Sequence, residues 1–484
     1  MWGVEKSARL VVREVPGPEE PASAFERLRA ADAPAPRHAW LLESALSGSS
    51  LGRFSFAGAS PYAVLRARDT RLELEVLRAA RPGLAPGRMR LRGDPLEAAR
   101  ALLPRLAPAA APELPFVGGA VGWLGYELAA RIEPIALRAG DGRDPPDLAL
   151  FFVDRVAAFD HATGRLYACG LGFGPDARDG AERAADAVCR ALAAAPPGTA
   201  AGRGRALPLP DAAEHVKKVD CILEEIRAGN VYQACLTTRF EGELEGDAFA
   251  FYRRLRELSP APFASFLELP GIAVVGSSPE RFLRLDRAGR VESRPIKGTR
   301  PRGRGPAEDA GLRLALESSA KERAENLMIV DLVRNDLGRV CETGSIAVPE
   351  LMAIEAYAPL FQMVSSVTGR LRPDRDVFDL VRACFPAGSM TGAPKIAAMR
   401  LLARLEPLRR GVYSGALGYL DARGGADLSV VIRTAVVADG RVAIHAGGGI
   451  VADSDPAAEW REAVDKAAPL RAALAGGPER RRSR

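Results

Sequence analysis

Apolar positions follow two different periods along this chain. Early on they come in short runs: Trp40-Leu41-Leu42-Glu43-Ser44, Phe54-Ser55-Phe56-Ala57-Gly58, Ala63-Val64-Leu65 and Leu72-Glu73-Leu74-Glu75-Val76. Runs of this length and composition, divided by Gly, Pro, Ser and Asp, predict strands and turns. The stretch 116–126 is apolar and rich in glycine. The period then lengthens. Residues 178–194 read as an alanine-rich helix, and Val216, Val219, Ile222, Leu223 and Ile226 recur at helical spacing. Asp211 precedes them as an N-cap, with Glu214 three residues on, as in a capping box. Strands return at 271–276, 429–438 and 442–445. Antiparallel sheets flanked by helices, an α+β (layered α/β) fold, are the expected architecture.

The segment 196–212 is rich in Gly, Pro, Ala and Arg and has no hydrophobic period, which predicts a linker. It divides an N-terminal region, 1–195, from a second region, 213–474. Residues 475–484 end in Arg480-Arg481-Arg482-Ser483-Arg484 and read as a frayed basic tail. One internal echo joins the two regions: Gly119-Ala120-Val121-Gly122-Trp123-Leu124 resembles Gly415-Ala416-Leu417-Gly418-Tyr419-Leu420. Two such strands are expected in related places in two sheets.

Composition narrows the function. The 484 residues are 47% hydrophobic and 26% charged, as in an ordinary soluble domain. No apolar run approaches the roughly 18 residues that span a bilayer, and no apolar segment follows a basic start at the N-terminus. No membrane association is expected. The six cysteines, at 169, 189, 221, 235, 341 and 384, form no Cys-x-x-Cys pair. Neither a zinc ribbon nor a disulfide framework is indicated, and a reducing cytoplasm fits. The net charge of +6 is spread as arginine along the chain without a nucleic-acid-binding signature. It suits anionic small molecules or an acidic partner, not nucleic acid.

Several short constellations carry chemistry. Pro295-Ile296-Lys297-Gly298-Thr299-Arg300-Pro301-Arg302-Gly303 reads as a tight turn holding one ammonium. Such a lysine pairs with an anion or acts as a nucleophile, and a solvated basic loop is the plain alternative. Two helical segments carry Glu-x-x-Glu: Glu322 with Glu325, and Glu459 with Glu462. Residues three apart share a helix face. Two facing pairs would form an all-oxygen site suited to Mg²⁺, whereas separate pairs would be solvated helix faces. Gly447, Gly448 and Gly449 follow an apolar strand and could converge their N–H groups on an anion. Ser389 is a substrate-binding candidate in the turn Gly388-Ser389-Met390-Thr391-Gly392-Ala393-Pro394-Lys395, which precedes a helix starting near Ile396 and whose hydroxyls and N–H groups could meet a polar ligand. Arg433, inside an apolar strand, needs a carboxylate from protein or substrate.

Together these runs resemble the chorismate-utilising enzymes, which include the anthranilate, aminodeoxychorismate, isochorismate and salicylate synthases. The matching pieces are 295–303, 324–338, 388–395, 415–420, 446–451 and 459–466, with a looser match through Leu41-Leu42-Glu43-Ser44 and 118–126. The resemblance implies a chorismate-binding catalytic domain at 213–474 behind an N-terminal region like that of anthranilate synthase component I. Gln233 stands where the water-adding members carry a lysine base, which implies an ammonia user. Lys297 stands where aminodeoxychorismate synthases carry a covalent nucleophile and anthranilate synthases usually an alanine, so the nearest resemblance is to the aminodeoxychorismate branch.

That branch implies further roles. Mg²⁺ would be held by Glu325 and Glu462, with Glu322 and Glu459 nearby or acting through water. Tyr419, Arg433, Gly447 and Gly449 would hold a substrate carboxylate, and Gly298 and Thr299 would line the ring. Lys297 would attack C2 while the C4 hydroxyl leaves with a proton from Glu280. Ammonia would then add at C4. Asp379 stands where anthranilate synthases have a histidine, with no role implied. No Gly-x-Cys-x-Gly turn is present, so ammonia would come from a glutamine amidotransferase on a separate chain. The alternatives are an anthranilate synthase component I, releasing pyruvate, and a non-catalytic chorismate- or partner-binding subunit.

Overall fold

The computed structural model describes residues 8–17, 20–31, 38–46, 51–107, 111, 113–138, 140, 144–198, 201–357 and 360–476. The last eight residues of the expected basic tail and the first seven of the chain lie outside the described residues.

The short apolar runs build two large antiparallel sheets of twelve strands each. In the first, Arg9–Glu14, Arg165–Gly172, Arg155–Asp160, Phe54–Ala59 and Ala39–Glu43 form one side. Phe263–Leu269, Ile272–Ser278, Thr434–Ala438, Arg441–Ile450, Gln233–Gly246 and Gly202–Ala206 continue it. The second runs through Ile296–Pro301, Leu360–Arg370, Arg290–Arg294, Arg281–Leu285, Ala426–Val430 and Ala416–Asp421. It then passes to Gly119–Leu124, Leu148–Val153, Ala63–Arg68, Arg71–Val76 and Gly87–Arg92. Both sheets therefore draw strands from both sides of 196–212, and that segment itself supplies the strand Gly202–Ala206. The junctions are regular ladders: Leu41 faces Phe266 in the first sheet, and Gly122 faces Gly418 in the second. The two echoing strands are thus direct antiparallel neighbours in one sheet, not equivalents in two.

The sheets pack face to face through large side chains of both, among them Trp40, Phe56, Trp123 and Phe151, with Phe116 added from the segment before strand Gly119–Leu124. Burying each such side chain contributes on the order of 1.5–3 kcal/mol. A second core lies under helices Pro21–Ala31, Ala177–Ala193, Ala248–Leu258 and Pro456–Leu474, where Phe25, Val188, Phe249 and Leu470 meet Leu41, Phe266 and Val275. The helix behind Asp211, Ala212–Arg227, forms as its spacing predicts and buries Val219, Ile222 and Leu223. Asp211 caps it by accepting from the amide of Ala213.

Three local expectations change. Residues 429–438 are not one strand. Ala426–Val430 belongs to the second sheet and Thr434–Ala438 to the first, and the chain crosses between them through Arg433 at φ +51°. A left-handed backbone departs from extended geometry and turns the chain out of the ladder here. The glycine triplet is strand, not nest: Gly447, Gly448 and Gly449 pair with Thr237, Leu236 and Cys235. The lysine run is also strand, Ile296–Pro301, with a register shift between Ile296 and Thr299 where Gly298 takes φ +82°. That bulge re-aims the Lys297 side chain.

Candidate active site

A cavity of about 430 Å³ opens where these irregularities meet. Its walls are the bulged strand 296–301, the glycine triplet, the crossing at 432–433, and two helices, Ala320–Gly338 and Pro456–Leu474. Ser319 caps the first helix and Asp455 the second. Their Glu-x-x-Glu pairs place Glu322, Glu325, Glu459 and Glu462 on the cavity wall. Lys297, Glu280, Gly298, Thr299, Ser389, Arg433, Gly447 and Gly449 line the same space.

The glycines make room for side chains. A Cβ on Gly448 would stand 2.9 Å from Glu459 Oε2 and 3.5 Å from Glu462 Oε1. One on Gly449 would stand 2.3 Å from Gln233 Nε2 and 3.2 Å from Lys297 Nζ. Gln233 is wholly buried behind Gly449, outside the cavity lining, and neither polar atom of its amide has a hydrogen-bond partner.

Tyr419 does not reach the cavity. Its ring stacks on Phe116, with centroids 4.7 Å apart, and meets Phe56 edge-on at 5.6 Å in the core between the sheets. As an interior position of strand Ala416–Asp421, whose every residue is buried, it packs between layers. Tyr413 lines the cavity instead, beside His445 at 5.3 Å. The sequence offered a signal for it, because Tyr413 precedes the strand, where a side chain can turn to a sheet edge. Cys235, His445, Arg300, Lys321 and Lys466 also line the cavity and were missed. Lys466 was legible too, four residues after Glu462 on one helix face. Asp379 lies elsewhere: it completes the capping box of helix Val377–Cys384 and pairs with Arg100 at 3.0 Å.

The electrostatics divide the residues. Burial raises the Glu280 carboxyl to about 7, against the pull of the Ser389 hydroxyl, which donates to it at 2.8 Å. Glu280 is therefore partly protonated at neutral pH. Burial lowers the Lys297 ammonium, but Glu325 at 3.4 Å, Cys235 and Glu280 outweigh it and hold the group above its ordinary value. Burial lowers Arg433, which makes no ion pair among the described residues. Its left-handed backbone is a strained conformation of the kind kept at binding sites, and it leaves a guanidinium fork open to a carboxylate.

The four glutamates offer only oxygen, which fits a hard divalent cation. Among the described residues no three acidic, histidine or cysteine side chains already gather as a metal cage. A cation here would complete its coordination with water and substrate oxygens.

Beneath the cavity, Arg410 ties its walls together. Its guanidinium pairs with Glu406 at 2.6 Å and donates to the carbonyls of Met390 and Cys235, each at 2.7 Å, and to Ser414 Oγ at 3.1 Å. Arg410→Met would leave Glu406 buried without its partner. The expected loss is about 3–5 kcal/mol of stability, read from urea unfolding.

Taken together, fold and site define an enzyme-type cavity that gathers a buried carboxyl, a buried lysine, an arginine without an ion pair among the described residues, and four glutamates. A model of the chorismate binding enzyme family matches residues 85–472, and the chain belongs to that family. It is 42% identical to an aminodeoxychorismate synthase of Streptomyces griseus over 97% of this chain and 64% of that protein. It is 43% identical to that of Streptomyces pristinaespiralis over 96% and 65%. The chain thus spans just under two thirds of these relatives. It is also 39% identical to anthranilate synthase component 1 of Mycolicibacterium smegmatis, over 96% of this chain and 90% of that one. The crystal structure of anthranilate synthase component I from Streptococcus pneumoniae superposes with a TM-score of 0.75 at 30% identity, covering 87% of this chain and 93% of the other. The menaquinone-specific isochorismate synthase of Escherichia coli, at 18% identity and a TM-score of 0.70, shares the fold.

Proposed function

We propose that this chain aminates chorismate at C4, giving 4-amino-4-deoxychorismate with its pyruvyl group retained. The carrying observation is Lys297 lining one cavity with Glu280, an acid of pKa about 7, and with an unpaired Arg433. Hydroxide leaves a ring carbon poorly unless it is protonated, and a buried neutral carboxyl meets that need. Arg433 and Tyr413 would hold a substrate carboxylate. Glu325 and Glu462, with Glu322 and Glu459, would hold Mg²⁺, which supplies positive charge against a substrate carboxylate.

Lys297 Nζ, freed from Glu325 so that burial alone acts on it, would give its extra proton to solvent water, and the neutral amine would then form a bond to C2. The C4–O bond would break, and the oxygen would leave as water with the Glu280 proton. Ammonia would bond to C4 as the C2–N bond breaks, returning Lys297 as a neutral amine. The extra proton of the new ammonium group would return to Glu280, so the site ends as it stood before the C2–N bond formed.

The ammonia source is proposed to be a glutamine amidotransferase. Within these 484 residues no cysteine sits in a Gly-x-Cys-x-Gly turn. A reducing cytoplasm is the proposed compartment: no described helix is long and apolar enough to cross a membrane, and all six cysteines are free.

The test is to incubate the chain with chorismate, Mg²⁺ and ammonium and identify the product by mass and fluorescence. A non-fluorescent amino compound that keeps the pyruvyl group, and that added lyase converts to 4-aminobenzoate, supports the proposal. Fluorescent anthranilate with pyruvate would establish the second reading, which the 39% identity to an anthranilate synthase component 1 favours. Glu325→Gln and Glu462→Gln are each expected to raise the Mg²⁺ concentration for half-maximal rate by at least about tenfold, since loss of a charged ligand to a divalent cation costs about 1.4 kcal/mol or more. Unchanged Mg²⁺ dependence in both would remove the metal assignment.

A further inference from the structure

Each of the four paired glutamates holds one cation. Glu325 pairs with Lys297 at 3.4 Å and Glu462 with Lys466 at 2.6 Å. Glu322 pairs with Arg300 at 3.5 Å and Glu459 with Lys321 at 3.7 Å. Three of these cations are fixed by their surroundings or sit beside the substrate groups already described. Lys297 is deep in the cavity, Lys466 also donates to the carbonyl of Gly447 at 2.8 Å, and Arg300 is on the bulged strand.

Lys321 differs from them. It extends from the first turn of helix Ala320–Gly338 to Glu459 on helix Pro456–Leu474, and among the described residues it alone forms an ion pair between the two glutamate-bearing helices. Its side chain is 45% exposed, whereas that of Glu459 is only 5% exposed and is fixed by Ser454 Oγ at 2.7 Å. Its charge also reaches Glu462.

We infer that Lys321 competes with the divalent cation for the Glu459–Glu462 pair. The inference rests on the reading of these glutamates as the cation site. A lysine ammonium is a compact, strongly hydrated charge on a flexible stem, so it can swing into water when a stronger cation arrives. Glu459 stays in place when it does. While Lys321 is seated, part of the carboxylate charge is already neutralised and the bare site holds a divalent ion weakly. An anionic substrate restores negative charge to the cavity and shifts the balance toward the metal. Lys321 thereby couples cation binding to substrate binding, and by linkage the coupling is reciprocal. A brace that merely preforms the site has the opposite sign: its removal would weaken the cation.

The experiment measures Mn²⁺ binding to the full chain by electron paramagnetic resonance, without chorismate and then with it. Lys321→Met is expected to bind Mn²⁺ about fivefold more tightly than the parent without chorismate, the effect of removing an ion pair of this exposure. Lys321→Arg should stay near the parent, and the gain should shrink as salt rises. Lys321→Gln, polar and uncharged, repeats the measurement should the methionine variant fold poorly. Unchanged or weaker Mn²⁺ binding in the uncharged variants would overturn the inference while leaving the metal site intact. No Mn²⁺ binding by the parent, even with chorismate, would overturn the metal reading and this inference with it.

Discussion

Lys297→Ala is expected to lower formation of 4-amino-4-deoxychorismate by roughly a thousandfold or more, as loss of a covalent nucleophile does. The fold should survive, because Lys297 sits on a bulge at a cavity wall and its ion pair is with one residue, Glu325, at 3.4 Å. Removing it leaves Glu325 facing the cavity, where water and a cation can reach it. Chorismate affinity should change little, so the loss should fall on kcat. Turnover at the parent rate, followed by product mass, would rule out the nucleophile. A variant that instead made anthranilate would show that Lys297 selects the product without carrying the chemistry.

Glu280→Gln is expected to slow turnover by about 10²–10⁴-fold, the range for a positioned general acid, and to erase one limb of the pH profile. The carboxyl must be protonated to act, and burial sets its pKa at about 7. In the parent, with Lys297 neutral in the substrate complex, kcat should therefore fall above pH 7, up to tenfold per pH unit. The glutamine variant should be slow and flat over that range. The same burial acts on stability. A carboxyl raised in the folded state favours folding most fully below its unfolded value, and that contribution is lost as pH rises through about 7. Glu280→Gln should remove this slope, which thermal unfolding at pH 5 and pH 8 would reveal. A surviving alkaline limb in kcat would place the acid elsewhere, with Cys235 and Tyr413 the next groups to examine in the same cavity.

Much of this site was legible because its chemistry is local in sequence. The two Glu-x-x-Glu helices form at 320–338 and 456–474, and i, i+3 spacing alone turns both pairs one way. What the sequence could not show is why they face each other, since that depends on strands from distant parts of the chain meeting in two sheets. Tyr419 was misplaced for a related reason. An aromatic in a Gly-rich strand looks accessible in sequence, yet a strand buried on both faces has no accessible position. Arg433 was noticed as a charge among apolar residues, but its reach into the cavity comes from a left-handed backbone that splits one apparent strand between two sheets. Glycine suggests a tight turn in the lysine run and an anion-binding nest in the triplet. Here glycine serves close approach inside a ladder, leaving space that Glu459, Gln233 and Lys297 fill.

The interleaving of the sheets has a consequence for how such a chain can change. Leu41 is a ladder partner of Phe266, and Gly122 of Gly418. A shortened protein beginning after the linker would keep the glutamates, Lys297 and Glu280, but Phe263–Leu269 and Ala416–Asp421 would become open edges that invite association with other chains. Neither half is a portable module. Insertions and fusions are tolerable at the ends and in surface loops, whereas a cut between the halves would yield two sticky fragments whose most natural partner is each other.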